Sequence, residues 1–430
     1  MSSGLRQFFN LRRGEGLPVL MAGLYFFFVL TALMVLRPAR DAIGMSGGLD
    51  AVRWLFIGTA LVTLAVNPAF GWLVSRFRRL TFITLTYAFF AASLTGFYLL
   101  IVLAPDAVGE VSGRVFYVWF SVFNLFSTMV FWALMADRFT LEQSKRFFGT
   151  VAVGGTLGAI FGPWLASQLA QPLGTPALML VSAVFLGLAV AAAWGVAKLQ
   201  PEVAKTGQDD VNERAIIGGN AWSGISAVFR SPYLLGISAY VLVMTIIATF
   251  IYFTRLAMVA AAADDTDART VIFANIDLIT QVTTLVLQAV VTGQLMKRLG
   301  VAIALALLPI VVSLGFIGLA IAGSFAVLIL FDAAFRAIQR AITRPARETL
   351  FTVVTREEKY KSKAFTDTFV YRGGDVIGAW TEGGLGALGM GLLGLASVAV
   401  PLAVAWGGLG IWLGRRQQQV AAVQTSEPQR

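Results

Sequence analysis

Apolar runs of about twenty residues follow one another along almost the whole chain, separated by short charged segments. No other feature of the sequence limits its folding so severely. A run of that length matches the hydrocarbon thickness of a bilayer. Inside a bilayer every backbone N–H and C=O must be satisfied within the protein, which a helix does by itself. Composition agrees: 57 % of the 430 residues are hydrophobic and 13 % are charged, whereas a soluble surface takes roughly a quarter charged residues. The first run starts near Pro18, behind a basic leader with Arg6, Arg12 and Arg13. It is too long for a signal-peptide core and reads as a retained first span. Further runs lie near 54–73, 80–103, 115–136, 147–170 and 176–198. After a polar stretch they resume near 232–260, 270–296, 299–322, 323–343, 363–388 and 390–414. These runs predict an all-α polytopic membrane protein with twelve transmembrane helices. Its parts are an N-terminal six-helix bundle (1–198), a linker (199–230), a C-terminal six-helix bundle (231–414) and a disordered tail (415–430).

Missing residue types exclude whole chemistries. With no Cys and no His there are no disulfides, thiol nucleophiles, Ser-His-Asp triads, ordinary zinc sites or haem histidines. Proton handling falls to Asp, Glu or Lys. No nucleophile–base constellation or metal cluster stands out and no Gly-rich loop ends in Gly-Lys-Ser/Thr, so neither an enzyme nor a cofactor is expected. The net charge of +10 does not indicate nucleic acid, because the basic residues punctuate the apolar runs rather than forming a patch. The partners expected are a small solute and the lipid bilayer, with the chain a monomer.

The same basic residues set the orientation. With the N-terminus in the cytoplasm, most of them, from Arg76, Arg78 and Arg79 to Lys359, Lys361, Lys363, Arg415 and Arg416, fall on inner segments. The loop around Asp264, Asp265 and Asp267, on the outer side, is acidic. That bias predicts an inner (cytoplasmic) membrane protein with both termini inside. The two halves also repeat. Gly71-Trp72-Leu73 with Arg76 and Arg78 matches Gly293-Gln294-Leu295 with Lys297 and Arg298. Thr140-Leu141-Glu142, Lys145 and Gly154-Gly155 match Thr355-Arg356-Glu357, Lys359 and Gly373-Gly374, and Arg37 falls opposite Arg255. The offset is about 220, drifting by a few residues.

Charged residues inside spans mark candidate sites, since they are costly in hydrocarbon and face an interior. Span eight carries Asp277, Gln281, Thr284 and Gln288 on one helical face; a substrate or ion path and structural hydrogen bonding are both open there. Span ten carries Asp332, Arg336, Gln339 and Arg340, in which Asp332 and Arg336 can pair locally. Span eleven carries Asp367, Tyr371 and Asp375, with Arg372 adjacent. Span one ends in Arg37-Pro38-Ala39-Arg40-Asp41. This is either a solvated cap, or a helix that continues past Pro38 and turns Arg37 and Arg40 inward, where guanidiniums bind phosphate or carboxylate by paired hydrogen bonds. Arg344-Pro345-Ala346-Arg347-Glu348 looks like a second copy but falls in a basic inner loop off the repeat, with a topological or gating role.

Gly71 to Arg79 resembles the basic loop motif of the major facilitator superfamily, with Ser75 at the position usually acidic. Gly158-Ala159-Ile160-Phe161-Gly162-Pro163 resembles the glycine-proline signature of some antiporters; close helix packing through small residues four apart is the other reading. A narrower resemblance rests on Arg37 to Asp41 and on Phe131-Trp132-Ala133 before Glu142-Gln143-Ser144-Lys145-Arg146-Phe147. It is completed by Lys361-Ser362-Lys363-Ala364 before Tyr371-Arg372-Gly373-Gly374. In these the chain is similar to the ATP/ADP translocases, the nucleotide transporters of plastids and intracellular bacteria, as a divergent bacterial member. The resemblance implies a major facilitator-like fold and transport of a nucleotide or similar anion, with Arg40 and Arg372 where the carriers have important lysines. The family's nucleotide exchangers also carry membrane glutamates in spans four and seven, where this chain has Trp119-Phe120-Ser121 and Ile251-Tyr252-Phe253.

The resulting expectation is a secondary transporter that moves an anionic organic solute, such as a nucleotide or phosphorylated metabolite, by alternating access. Arg37, Arg40, Arg255 and Arg372 would hold the anionic group, and Trp119 and Phe123 would stack on a ring. Asn124 would donate a hydrogen bond, and Asp41, Asp277, Gln281 and Arg336 complete the substrate-site candidates. Asp277, Asp332 and Asp375 are the candidates for coupling a proton or cation. The rival is a lipid or amphiphile flippase or exporter of the major facilitator type, with the arginines meeting a phosphate head group. The anion expectation fails if those guanidiniums are capped by carboxylates or bathed in bulk water, with no vestibule between the matched halves.

Overall fold

The structure, a computed structural model, describes residues 15–76, 79–105, 109–200, 228–290 and 292–426. The basic leader, the linker over 201–227 and the side chains of Gly71–Arg79 and Gly293–Arg298 lie outside the described residues. Every element is helical, and no strand occurs among the described residues. In chain order the helices are α1 (Gly16–Gly44), α2 (Gly48–Arg76), α3 (Arg79–Leu103), α4 (Glu110–Arg138), α5 (Leu141–Leu173) and α6 (Ala177–Leu199). Then come α7 (Pro232–Ala262), α8 (Thr266–Val290), α9 (Thr292–Ala322), α10 (Phe325–Ile338), α11 (Arg344–Leu350), α12 (Arg356–Phe365), α13 (Tyr371–Ala387) and α14 (Gly391–Ser426). Among the described residues nine stretches are long and apolar enough to cross a membrane, the first of them (Gly16–Val66) running through two helices. The protein is therefore an all-α polytopic membrane protein.

By contacts the chain divides into two compact units. One holds Met1–Lys205 with Val259–Gln281, the other Thr206–Met258 with Val282–Arg430.

In the first unit α1 packs most extensively on α5 and α6. The α5 contact is made through glycine. A Cβ on Gly154 would run into the carbonyl of Gly23, one on Gly158 into the carbonyl of Phe27, and one on Gly162 would sit 2.7 Å from Met34 Cβ. The two backbones thus touch directly, the arrangement that gains most from dispersion where lipid tails remove the hydrophobic drive. The glycine-proline run of α5 is accounted for by this packing. A buried chain of hydroxyls crosses the same unit: the Tyr25 and Tyr87 hydroxyls meet at 3.0 Å, and Tyr87 donates to the Ser127 carbonyl at 3.0 Å.

The second unit repeats the glycine contact. A Cβ on Gly374 of α13 would strike the Thr245 hydroxyl of α7, and one on Gly378 would lie 2.8 Å from Thr249 Cβ and 3.0 Å from the Ile246 carbonyl. The start of each glycine helix also repeats. Thr140 and Gln143 form a capping box before α5, and Thr355 and Glu358 form one before α12. Each satisfies orphan amides at a helix start for about 0.5–2 kcal/mol.

By contact the counterpart of Gly154 is Gly374, one residue past the sequence match, since a Cβ on Gly373 would meet nothing within 4 Å. Between cap and that glycine the second copy has five more residues, as Thr140 precedes Gly154 and Thr355 precedes Gly374. A π-helical turn, Thr366–Val370, lies in that interval. A π turn absorbs about one extra residue, which leaves an excess of roughly four, near one α-helical turn. The glycines accordingly return to the side that faces α7. Thr366 anchors the turn to α7, its hydroxyl 3.0 Å from that of Ser238.

Three expectations change. Span ten does not end at 343, because a second π turn (Gln339–Thr343) leads straight into α11. Arg344-Pro345-Ala346-Arg347-Glu348 is therefore helical rather than a loop. Its proline sits in the first turn of α11, where no amide donor is needed. Span eleven is two helices joined by the other π turn. The segment expected to be a disordered tail is helical over 415–426, since its Arg, Gln, Ala and Val residues carry no Gly or Pro before Pro428.

The glycine contacts are testable. Gly158→Leu is expected to lower the thermal midpoint of the purified protein, overpacking costing about 1–3 kcal/mol or more. Gly373→Ala, where a Cβ would meet nothing within 4 Å, should leave it unchanged. Equal midpoints for both variants would show that α1 and α5 do not touch at Gly158.

Candidate functional site

In the first unit the helix of span one does continue past Pro38. α1 runs unbroken from Gly16 to Gly44, with Pro38, Ala39 and Asp41 buried. Arg40 lies against α4, its guanidinium carbon 4.6 Å from the centre of the Tyr117 ring and 5.3 Å from that of Phe120. Its Nε donates to Asp41 Oδ1 at 2.9 Å, and Asp41 is 2 % exposed. The charge is thus held by a carboxylate and two aromatic faces. Arg37, one turn earlier, points its Nε toward Asp277 Oδ2 of α8 at 3.7 Å, longer than a hydrogen bond.

Along span eight the polar residues differ in burial. Asp277 and Thr284 are buried and Gln281 is half-buried, but Gln288 is exposed. At the start of the same helix Asp267 Oδ1 accepts from the Thr175 amide at 2.6 Å, and the Thr175 and Thr270 hydroxyls bond at 2.9 Å. Sequence reading had placed Asp267 in an acidic outer loop and missed this tie, since nothing near Thr175 marks it as a partner.

In the second unit the geometry is tighter. Asp332 Oδ2 of α10 accepts from Arg255 Nη1 of α7 at 2.9 Å and from Arg336 Nη2 at 2.8 Å. The three residues are 3 %, 3 % and 7 % exposed. The local i,i+4 pair expected for span ten is present, but it shares its oxygen with a second guanidinium from another helix. Tyr252 lies 5.2 Å from the Arg255 guanidinium. On α13, Arg372 Nη1 stands 3.4 Å from Asp375 Oδ2, with side chains 30 % and 17 % exposed.

At the foot of this unit Arg347 lies 3.6 Å from Asp367 and 3.9 Å from Glu348, and Lys363 donates to Glu348 at 2.6 Å. These pairs link α11 to α12 and the π turn after it. On α12 the hydrogen bond from Lys361 holds the Glu357 carboxyl below the usual carboxylate range.

The structure adds a counter-charge to each cationic candidate. Arg37, Arg40, Arg255, Arg336 and Arg372 are not uncapped; each stands beside an aspartate within its own unit. The physical reason is the cost of an isolated charge out of water, which a near carboxylate offsets.

The aromatic candidates also fall differently. Trp119 stacks on Phe123 with centroids 5.2 Å apart and planes at 21°, and Phe90 and Phe97 pack edge-on to Trp119. Phe123 has no exposed surface, so these rings are built into the wall of the first unit and their faces meet other protein rings. Asn124 is exposed. Among the described residues no group of three acidic side chains could hold a metal ion.

Residues 19–345 match the profile of the Major Facilitator Superfamily. The fold is similar to that of PepTSo, a POT-family transporter (12 % identity, TM-score 0.62, covering 95 % of this chain and 99 % of that one). It is similar also to a mutant of the nucleoside transporter NupG (11 % identity, TM-score 0.62, 94 % and 99 %). A D-xylose–proton symporter gives 13 % identity and a TM-score of 0.60 over 94 % and 96 %. At such identities the likeness is one of fold. No curated protein matches the sequence.

The geometry at Asp332 sets a stability expectation. Asp332→Asn removes the counter-charge of two buried guanidiniums and is expected to cost about 3–5 kcal/mol. Asp375→Asn, beside a partly exposed arginine, should cost clearly less. Thermal unfolding in one detergent checks the order; equal losses would mean that Asp332 is not the counter-charge it looks to be.

Proposed function

The chain belongs to the major facilitator superfamily, a transporter rather than an enzyme, and we propose that its cargo is an organic anion. The observation that carries this reading is the sharing of one carboxylate oxygen, Asp332 Oδ2, by Arg255 and Arg336 in a nearly water-free setting. Two guanidiniums and one carboxylate are thus gathered at a single point of the second unit. Each guanidinium has five N–H donors, so a phosphate or carboxylate of the cargo can share them without displacing Asp332. Arg37, with its side chain 24 % exposed beside Asp277, is a further donor to such an anion. Binding then adds the cargo's charge to an ion pair already in place, rather than filling an uncapped cationic cleft.

Asp375 is the aspartate best placed to couple a proton or cation. It has one guanidinium at 3.4 Å, where Asp332 has two below 3 Å. Trp119 and Phe123 take no part in this reading, because their faces are occupied. Alternating access of the two halves, with both termini in the cytoplasm, completes it. The residues shared with the ATP/ADP translocases make nucleotides the first solutes to try, and phosphorylated metabolites the next.

The test is uptake into reconstituted vesicles of labelled ATP, ADP, sugar phosphates and dicarboxylates, beside neutral and cationic solutes and a short-chain phospholipid. Saturable uptake of at least one soluble anion is expected. Arg336→Gln, checked for folding by its thermal midpoint, should cut that uptake by about tenfold or more, the effect of losing one charged hydrogen-bond donor. Transport of only neutral or cationic solutes overturns the anion reading, and transport of the phospholipid alone replaces it with a flippase.

A further inference from the structure

A cavity of about 520 Å³ opens at the end of the second unit where α7 begins and α14 leaves its apolar stretch. Its walls divide by chemistry. Tyr233, Val353, Val354 and Trp412 form an apolar and aromatic side, and Arg415 and Arg416 stand on the other. The Tyr233 hydroxyl already donates to the Leu350 carbonyl at 2.9 Å, which fixes that ring as wall. The volume lies within the range of small-molecule sites, about 300–1,000 Å³.

The two arginines differ from those inside the spans. Arg37, Arg40, Arg255, Arg336 and Arg372 each have an aspartate beside them. Among the described residues no carboxylate pairs with Arg415 or Arg416, and Arg416 donates to the Gln419 side chain at 3.3 Å. Their place on the chain explains the difference. The apolar stretch of α14 ends at Gly414, so both guanidiniums lie at the boundary between hydrocarbon and water. Trp412, 43 % exposed, sits one turn deeper, where amphipathic rings collect in membrane proteins. A basic pocket between helices at that depth fits an anionic head group, while apolar walls beside it fit the carbons that follow.

We infer that this cavity binds an anionic phospholipid, with the phosphate on Arg415 and Arg416 and the first acyl carbons along Val353, Val354 and Trp412. An inorganic phosphate would gain only the charged side; a zwitterionic lipid brings a phosphate too, but its ammonium group is repelled by the two guanidiniums and cancels much of that gain. The site is separate from the ion pairs of the transport reading and does not depend on it.

The experiment uses the purified full-length protein in detergent, titrated with short-chain phosphatidylglycerol, short-chain phosphatidylcholine or sodium phosphate. Native mass spectrometry reads occupancy, and the thermal midpoint is followed in parallel. Phosphatidylglycerol is expected to be retained over phosphatidylcholine and to raise the midpoint, and phosphate alone to do neither. In an R415Q/R416Q variant the preference should fall by about fivefold per arginine removed, with the lipid-free midpoint unchanged because both side chains are exposed and Gln keeps the helix. Equal retention of the two lipids overturns the inference. So does an undiminished preference in the double variant, or full competition by inorganic phosphate, which would make this a site for a soluble anion.

Discussion

A charge in hydrocarbon must carry its opposite with it, and that constraint organises the polar interior of this protein. Arg37, Arg40, Arg255, Arg336 and Arg372 lie within the helices with an aspartate beside each, while buried Arg138 donates to the Gln200 carbonyl at 3.1 Å. The pairs do more than neutralise. Arg255 and Asp332 oblige α7 and α10 to be neighbours, and Arg37 and Asp277 do the same for α1 and α8. Where two guanidiniums meet one carboxylate oxygen, the arrangement is costly to leave incomplete. Arg40, pressed on Tyr117 and Phe120 beside Asp41, is the same constraint met with the help of aromatic faces.

Backbone contact is the second organising principle. In water a helix is held by the apolar face it hides; in lipid that drive is absent, and close approach takes its place. Gly154, Gly158 and Gly162 give α5 its seat on α1, and Gly374 and Gly378 give α13 the equivalent seat on α7. The π turn at Thr366–Val370 belongs to this scheme, since without it the extra residues between Thr355 and Gly374 would rotate the glycines off α7. The repeat is therefore physical as well as textual: cap, glycine row and partner helix recur together in each unit.

Much of the fold was legible in the sequence because its signals are long. Twenty apolar residues and small residues four apart are each patterns along one helix. The candidate site was legible by residue type, since an Arg or Asp inside a span announces itself. Its partnerships were not, except for Asp332 with Arg336, which lie four apart on one helix. Arg255 with Asp332 and Arg37 with Asp277 join helices far apart in the chain, and no spacing encodes that. Trp119 and Phe123 show the converse failure. Phe116, Trp119, Phe120, Phe123 and Phe126 share one face of α4, and that spacing suits a packed face as well as a stacking site.

The sequence by itself determined that this chain is helical and lives in a bilayer, and that its halves repeat. It also determined that any polar chemistry rests on arginine and aspartate, because length, hydropathy and missing residue types are properties of the chain alone. Only the tertiary structure decided that the guanidiniums are paired rather than bare, that the glycine-proline run is a packing seam, and that the helix survives Pro38. These outcomes turn on distances of 3 to 4 Å between separate helices, and electrostatics and dispersion at that range depend on where side chains meet in space.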